Sequence, residues 1–208
     1  MLFLFDMDNV LYHYDWRARM HGLTALTGHD FHELRRRWWH DEGEWKAEAG
    51  IPATGEEYLR AVNQALDSSL DRDTWLANRR EAMTPLPDIL ALATTAKEFG
   101  DVAVLTNNGA LIGEHLSEIA HELTPIFGDK VYATATFQAR KPDGLVFRRV
   151  LEHLGHSAES TFFLDDMPEN VRGAESVGIT ARWCSPHDQP DTIWSAMQAF
   201  IDRQAASA

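Results

Sequence analysis

Apolar positions follow two patterns along this chain. Short continuous apolar runs occupy 2–5, 102–105, 131–134 and 161–164, with 179–183 as a fifth. Unbroken runs of this length are what strands buried on both faces of a parallel sheet require. Between them, apolar residues recur at helical spacing. Segment 87–99 carries Ile89, Leu90, Leu92 and Ala93 and stops at Gly100. Segment 142–154 carries Phe147, Val150, Leu151 and Leu154 and stops at Gly155, and 168–177 stops at Gly178. Each opens on a proline and ends before a glycine, the usual punctuation of a helix. A last helix is predicted over 191–203, with Ile193, Trp194, Met197, Phe200 and Ile201 inward and a frayed tail after Arg203. Strand–helix alternation of this kind implies an α/β fold, a three-layer doubly wound parallel sheet with helices on both faces.

The block from Asp15 to Thr84 departs from this alternation and reads as helices only. Trp16, Met20, Leu23 and Thr27 form one stripe, closed by Gly28. Asp30 and Glu33 have capping-box spacing ahead of Phe31, Leu34 and Trp38, and Thr54 and Glu57 repeat it ahead of Tyr58, Leu59, Val62 and Leu66. Trp75, Leu76, Arg79 and Met83 fit a fourth helix, and Pro85-Leu86-Pro87 reads as a stiff return hinge. The expected organisation is a core of 1–14 and 85–208 interrupted by an α-helical cap subdomain at 15–84. Five of the seven tryptophans lie in that insert, where Trp38, Trp39 and Trp45 are expected to build its interior.

Composition narrows the function. With 19 Lys plus Arg against 32 Asp plus Glu, the formal charge of the 208-residue chain is −13. No basic footprint for nucleic acid or for a membrane surface exists, and an anionic ligand needs local positive charge or a metal. Cys184 is the single cysteine, which excludes an internal disulfide and a Cys-based zinc cluster, and is expected to be a buried small hydrophobe. The apolar start reaches Asp6 after five residues, too soon for a signal segment, and no run approaches the roughly 18 residues of a membrane span. A cytoplasmic protein is the natural expectation.

Ligand sites of open parallel sheets lie beyond the carboxyl ends of the strands. There the chain carries Asp6-Met7-Asp8-Asn9, then Thr106-Asn107, then Arg140-Lys141-Pro142, then Asp165-Asp166 with Asn170 one turn into the next helix. Carboxylates gathered this closely repel by about 5 kcal/mol per pair at 3 Å and an effective dielectric near 20. A divalent cation removes that penalty, and an all-oxygen donor set suits magnesium. Asp6 can then attack a phosphorus centre, and Asp8, two residues on in an extended segment, can shuttle the proton. Thr106 and the Asn107 backbone N–H can hold phosphoryl oxygens, and Lys141 offsets the charge of both the phosphate and Asp6.

Asp6-x-Asp8-x-Val10-Leu11, Val104-Leu105-Thr106-Asn107, Lys141-Pro142-Asp143 and Phe163-Leu164-Asp165-Asp166-x-x-x-Asn170 together resemble the motifs of the haloacid dehalogenase superfamily, subfamily IA-like, with a helical cap between the first motif and the second strand. The resemblance implies an aspartyl-phosphate on Asp6, Asp8 as general acid and base, and a Mg²⁺ held by Asp6, the Asp8 carbonyl and the Asp165-Asp166 pair, with Asp166 the direct ligand. Asn170 is expected either to support the site from behind or to cap or brace its own helix. Two positions depart from the family pattern. Asn9 stands where glycine is frequent, and asparagine tolerates the left-handed backbone of a tight turn. Gly144 stands where proline is frequent, at a helix start.

The expected function is a Mg²⁺-dependent phosphatase acting on a small phosphorylated metabolite, as a monomer or homodimer without nucleic acid or membrane partners. The alternatives are phosphoglucomutase-like transfer on the same fold and a non-catalytic binding module whose cap serves a protein partner. Asp8 argues against dehalogenase and phosphonatase chemistry, both of which lack that aspartate in related enzymes. Outside the motifs, the ten histidines show no metal spacing, and Arg35-Arg36-Arg37 reads as a solvated helix face. Among His40, Glu44, Trp45 and Lys46, crevice-facing positions are conceivable.

Overall fold

In the computed structural model, which describes residues 1–185 and 187–207, the chain enters through β1 (Leu2–Phe5) and turns into a short β2 (Tyr12–Tyr14). Five helices follow: α1 (Trp16–Thr27), α2 (Phe31–Arg37), α3 (Glu44–Glu48), α4 (Gly55–Ala65) and α5 (Arg72–Glu81). β3 (Met83–Pro85) returns the chain to α6 (Pro87–Ala96) and β4 (Asp101–Thr106). Short helices α7 (Ala110–Glu114), α8 (Leu116–Ile119) and α9 (Thr124–Phe127) lead to β5 (Val131–Ala133). The sequence closes with α10 (Gly144–Leu154), β6 (Thr161–Asp165), α11 (Pro168–Glu175), β7 (Thr180–Trp183) and α12 (Pro190–Ser207).

The sheet order is β5-β4-β1-β6-β7, all parallel, with β1 central. Alternation along the strands sorts side chains into two layers. Phe3, Phe5, Val102, Val104, Phe162 and Leu164 face α6, α9 and α12, where they meet Ile89, Phe127 and Phe200. Leu2, Leu4, Leu105 and Phe163 face the other way onto Val146, Phe147 and Val150 of α10. Both faces are thus buried, which is why the strands read as unbroken apolar runs. The three-layer α/β architecture is as the sequence predicts. Among the described residues no helix is long and apolar enough to cross a membrane.

Local chemistry explains the helix ends. Asp15, Asp30, Thr54 and Asp71 each accept from a backbone N–H three residues on, and Gly28 ends α1 with φ of 75°. The first predicted capping box closes on one side only, because Glu33 turns instead to Arg36 and Arg37. The insert holds five helices where four are predicted, α3 being the addition, and Met83, expected on the last of them, opens β3 instead. Three further elements depart from the expected pattern. The return hinge is divided: Pro85 ends β3, which pairs antiparallel with β2, Tyr12 opposite Pro85 and Tyr14 opposite Met83, while Leu86 and Pro87 open α6. Segment 110–127 is helical in short pieces that break at His115 and Ala120, where φ is −123° and −135°, and are too short to show a period. The C-terminal helix continues past Arg203 to Ser207, because Gln204, Ala205 and Ala206 favour helix and Gln204 Nε2 donates to the Glu159 carbonyl at 2.8 Å.

The chain crosses between sheet and helical block only at β2 and β3, so we propose the division into a core of 1–14 and 85–208 and a cap of 15–84. The two are not loosely joined. Met20, Leu23, Trp38, Tyr58 and Trp75 belong to the same continuous apolar cluster as Phe3 and Phe5.

Gly173 in α11 secures the loop that carries Lys141. A β-carbon there would stand 2.1 Å from the carbonyl oxygen of Pro142. Gly173→Ala is therefore expected to destabilise the protein by about 1–3 kcal/mol through forced backbone displacement, read by urea unfolding. Unchanged stability would show that this close approach is not required.

Candidate active site

Because β1, β4 and β6 run in one direction, their carboxyl ends deliver Asp6, Thr106-Asn107 and Asp165-Asp166 to one edge of the sheet. Carboxylate oxygens of Asp6, Asp165 and Asp166 all lie within 4.8 Å of one another. Lys141, fully buried, sits with Nζ 2.8 Å from Asp6 Oδ1 and 2.7 Å from Asp165 Oδ2. Asn107 fixes the lysine from behind. Its side-chain amide donates to the Lys141 carbonyl at 3.0 Å, and its Oδ1 accepts from the Lys141 N–H at 2.9 Å. Thr106 is buried beside it and accepts from Asn108 Nδ2 at 2.9 Å.

The two adjacent aspartates have different surroundings. Asp165 is saturated with donors: Lys141, Asn170 Nδ2 to both oxygens at 2.9 and 3.1 Å, and the Met167 N–H at 2.8 Å. Among the described residues, the one side chain that donates to the Asp166 carboxylate is Asn9, through Nδ2 at 3.1 Å. Asn9 occupies φ of 58°, the left-handed turn that its sequence position suggests, and its Oδ1 accepts from the Tyr14 N–H. The turn is tight because the Met7 carbonyl accepts from both Leu11 and Tyr12.

Electrostatics follow from one cation shared among several carboxylates. Burial, with Asp165 and Asp8 nearby, holds the Asp6 carboxyl well above the usual range despite Lys141. Burial also pushes Asp166 up to about 6. Lys141 is itself desolvated, but the two carboxylates outweigh that and keep it charged. Two groups that resist ionisation beside a fully committed Asp165 leave room for a further positive charge. The all-oxygen donor set fits a hard divalent cation such as magnesium, with Asp6 and Asp166 its available carboxylates.

Asp8 stands apart from that cluster. Its chain turns rather than staying extended, and its carboxylate accepts from Arg79 Nη2 at 2.7 and 2.6 Å. Arg79 comes from α5 of the cap and is 2 % exposed, packed 4.0 Å from the Tyr14 ring centroid. The sequence signal for it was a cation on the buried stripe of Trp75 and Leu76, a position where an unpaired charge is rare. The Asn9 and Asn107 side-chain bonds had no such signal.

Between core and cap lies a cavity of about 360 Å³ that reaches Asp8 and Asn107 from one side and Trp39, Glu44, Trp45 and Glu48 from the other. Trp45 is 41 % exposed and Trp39 half-buried, so these two rings line the crevice rather than fill the cap interior, which Trp38 and Trp75 occupy. Of the other cap candidates, Glu44 lines the cavity and is held by Trp38 Nε1 and Tyr58 OH, whereas Lys46 pairs outward with Glu42. Arg36 and Arg37 pair with Glu33, and Arg35 reaches the cavity wall. Cys184 is buried, and burial pushes its thiol up to about 11.

Glu48 offers a pH test of this region. Burial raises its carboxyl to about 7 even though Arg140 Nε lies 2.6 Å away. The folded protein keeps this proton while the unfolded chain releases it near 4.5, so the folded state binds more protons between these values. Its stability therefore falls as pH rises through that window. Glu48→Gln is expected to be more stable than the native chain at pH 8, on the order of 1–3 kcal/mol, and indistinguishable at pH 4. An unaltered pH slope in urea unfolding would reject the assignment.

Comparison with known proteins places the chain among hydrolases. The chain is 31 % identical over 192 residues to Phosphatase MT3486 of Mycobacterium tuberculosis, covering 86 % of this chain and 84 % of the relative. It is 26 % identical over 221 residues to a ribulose-1,5-bisphosphate 5-phosphatase of Halopiger xanaduensis, covering 97 % and 92 %. A haloacid dehalogenase family enzyme of Bacteroides thetaiotaomicron, solved with magnesium and inorganic phosphate, shares the fold at a TM-score of 0.74 and 19 % identity, over 90 % of this chain and 96 % of that one. The haloacid dehalogenase-like hydrolase model matches residues 1–178, and the chain belongs to that family of hydrolases.

Proposed function

We propose that this hydrolase is a magnesium-dependent phosphatase that cleaves a small phosphomonoester through an aspartyl-phosphate on Asp6. The observation that carries the reading is a buried ammonium shared by Asp6 and Asp165 beside a third carboxylate, Asp166. One ammonium among three carboxylates leaves an excess of negative charge, which a bound divalent cation would offset, and that cation would in turn attract a phosphate. Relatives named as phosphatases, and a fold neighbour holding magnesium and phosphate, support the same chemistry.

In this reading Asp6 and Asp166 hold the metal, with the Asp8 carbonyl as a further ligand. A magnesium ion held there would supply positive charge to offset the carboxylates and the phosphoryl group. Asp6 attacks phosphorus, and the bond from phosphorus to the leaving oxygen breaks. Asp8, once released from its pair with Arg79 and protonated, gives that oxygen its proton, and later takes one from the water that displaces Asp6 and frees phosphate. Lys141 holds Asp6 in line and offsets charge on the transferring group. Thr106 and the Asn107 N–H receive phosphoryl oxygens, while Asn170 and the Asn107 side chain keep Asp165 and Lys141 in place. The cap excludes bulk water from the crevice.

The test is hydrolysis of p-nitrophenyl phosphate by the purified folded chain, with millimolar Mg²⁺ and again with EDTA. Turnover that EDTA abolishes and Mg²⁺ restores is expected. No turnover in either condition would favour a binding module, and transfer to a second sugar phosphate in place of water would favour a mutase.

A further inference from the structure

Arg19 of α1 is 4 % exposed and forms part of the wall of the core–cap cavity. Its guanidinium lies 4.8 Å from the Trp75 ring centroid, and Nη1 has no hydrogen-bond partner among the described residues. Among the described residues no carboxylate lies within 4.0 Å to pair with it, and the acidic residues that line the cavity have partners of their own. Glu44 accepts from Trp38 and Tyr58, Glu48 from Arg140, and Asp8 from Arg79. Arg79, on the same wall, carries a second buried Nη1 without a partner. Arg35 adds an exposed guanidinium to that wall.

A desolvated guanidinium without an acceptor is costly, and burial indeed lowers the proton affinity of Arg19. In a chain of net charge −13, Arg19 is a local exception to the general repulsion of anions, since among the described residues no carboxylate pairs with it, whereas Arg79 on the same wall is paired with Asp8 and keeps its Nη1 without a partner. The same cavity reaches Asp8 and Asn107, so its occupant is continuous with the phosphoryl site proposed above.

We propose that Arg19, with Arg79 beside it, binds a second anionic group of the substrate, a carboxylate or a second phosphate on the leaving portion. The substrate class is then a phosphomonoester with a further anion, not a phosphorylated neutral sugar or lipid alcohol. Guanidinium suits this task because its planar fork donates two parallel hydrogen bonds to either oxyanion. This inference rests on the phosphatase reading.

Two matched pairs test it by kcat/KM in Mg²⁺: ribulose 1,5-bisphosphate against ribulose 5-phosphate, and 3-phosphoglycerate against glycerol 3-phosphate. At least one doubly anionic member is expected to be preferred by about 30-fold or more. The pair that shows the preference identifies the second anion as phosphate or carboxylate. In Arg19→Gln the preference ratio is expected to fall to near unity through a rise in KM, and Arg19→Lys to recover part of it. Hydrolysis of p-nitrophenyl phosphate with no preference in either pair overturns the inference while sparing the phosphatase reading. Failure to hydrolyse any ester, p-nitrophenyl phosphate included, removes the phosphatase reading and the inference with it. The native ratios decide the matter even if the Arg19 variants do not fold.

Discussion

Asp6→Asn is expected to lose about 10⁴-fold or more in kcat while folding normally, since an amide oxygen is a poor nucleophile toward phosphorus. Stability separates this outcome from simple damage. Asp6 is buried with Asp165 and Asp166 oxygens within 4.8 Å, and one lysine serves both Asp6 and Asp165. Coulomb repulsion at that distance and an effective dielectric near 20 is about 3 kcal/mol per carboxylate pair. Removing one charge leaves Lys141 paired to Asp165. The thermal midpoint measured in EDTA is therefore expected to stay level or rise, because the carboxyl of Asp6 resists ionisation in this setting. A variant with near-native turnover would show that the nucleophile lies elsewhere. A large drop in midpoint would show that Asp6 serves the fold.

Lys141→Met is expected to damage both activity and stability. Nζ is the buried counter-charge for two aspartates, and its loss strands Asp165, which is itself fully buried. Breaking a buried pair from one side costs about 3–5 kcal/mol. For a chain of this size that is a fall of roughly 10 °C in thermal midpoint. Activity should fall by about 10³-fold from lost electrostatic stabilisation of the transferring group. The double variant Lys141→Met with Asp165→Asn separates the two effects, since it removes the stranded charge. Its midpoint is expected to recover most of the loss while activity stays low. Recovery of activity along with stability would mean that Lys141 acts only as a structural cation.

Much of the fold was readable in advance because its determinants are local. Period-two burial on both faces of β1, β4 and β6 leaves unbroken apolar runs, and proline and glycine mark α6, α10 and α11 at their ends. The elements that escaped were those whose determinants are distant. β2 and β3 hold three residues each and exist because they pair with one another across about seventy positions. α7 to α9 take their shape from the sheet edge and the cap around them, not from a period of their own.

The same division applies to the candidate site. Strand ends marked Asp6, Asp8, Thr106, Asn107, Asp165 and Asp166, since a parallel sheet sends such residues to one edge, whereas Lys141, well beyond its strand, was marked by its Pro-Asp context and by the order of the motifs. Which carboxylate meets which cation depended on three-dimensional packing. Arg79 reaches Asp8 from 71 residues away, and Asn9 reaches Asp166 across 157. Trp39 and Trp45 share the aromatic character of Trp38 and Trp75, yet only the docking of cap on core decides which rings are covered and which face the cavity. By itself the sequence determined the layered sheet and the row of polar residues at its carboxyl edge, because strand periodicity and helix punctuation are properties of neighbouring residues. The tertiary structure alone decided the partners of Asp8 and Asp166 and the unmatched charge of Arg19, because pairing and desolvation depend on what remote segments bring to the same volume.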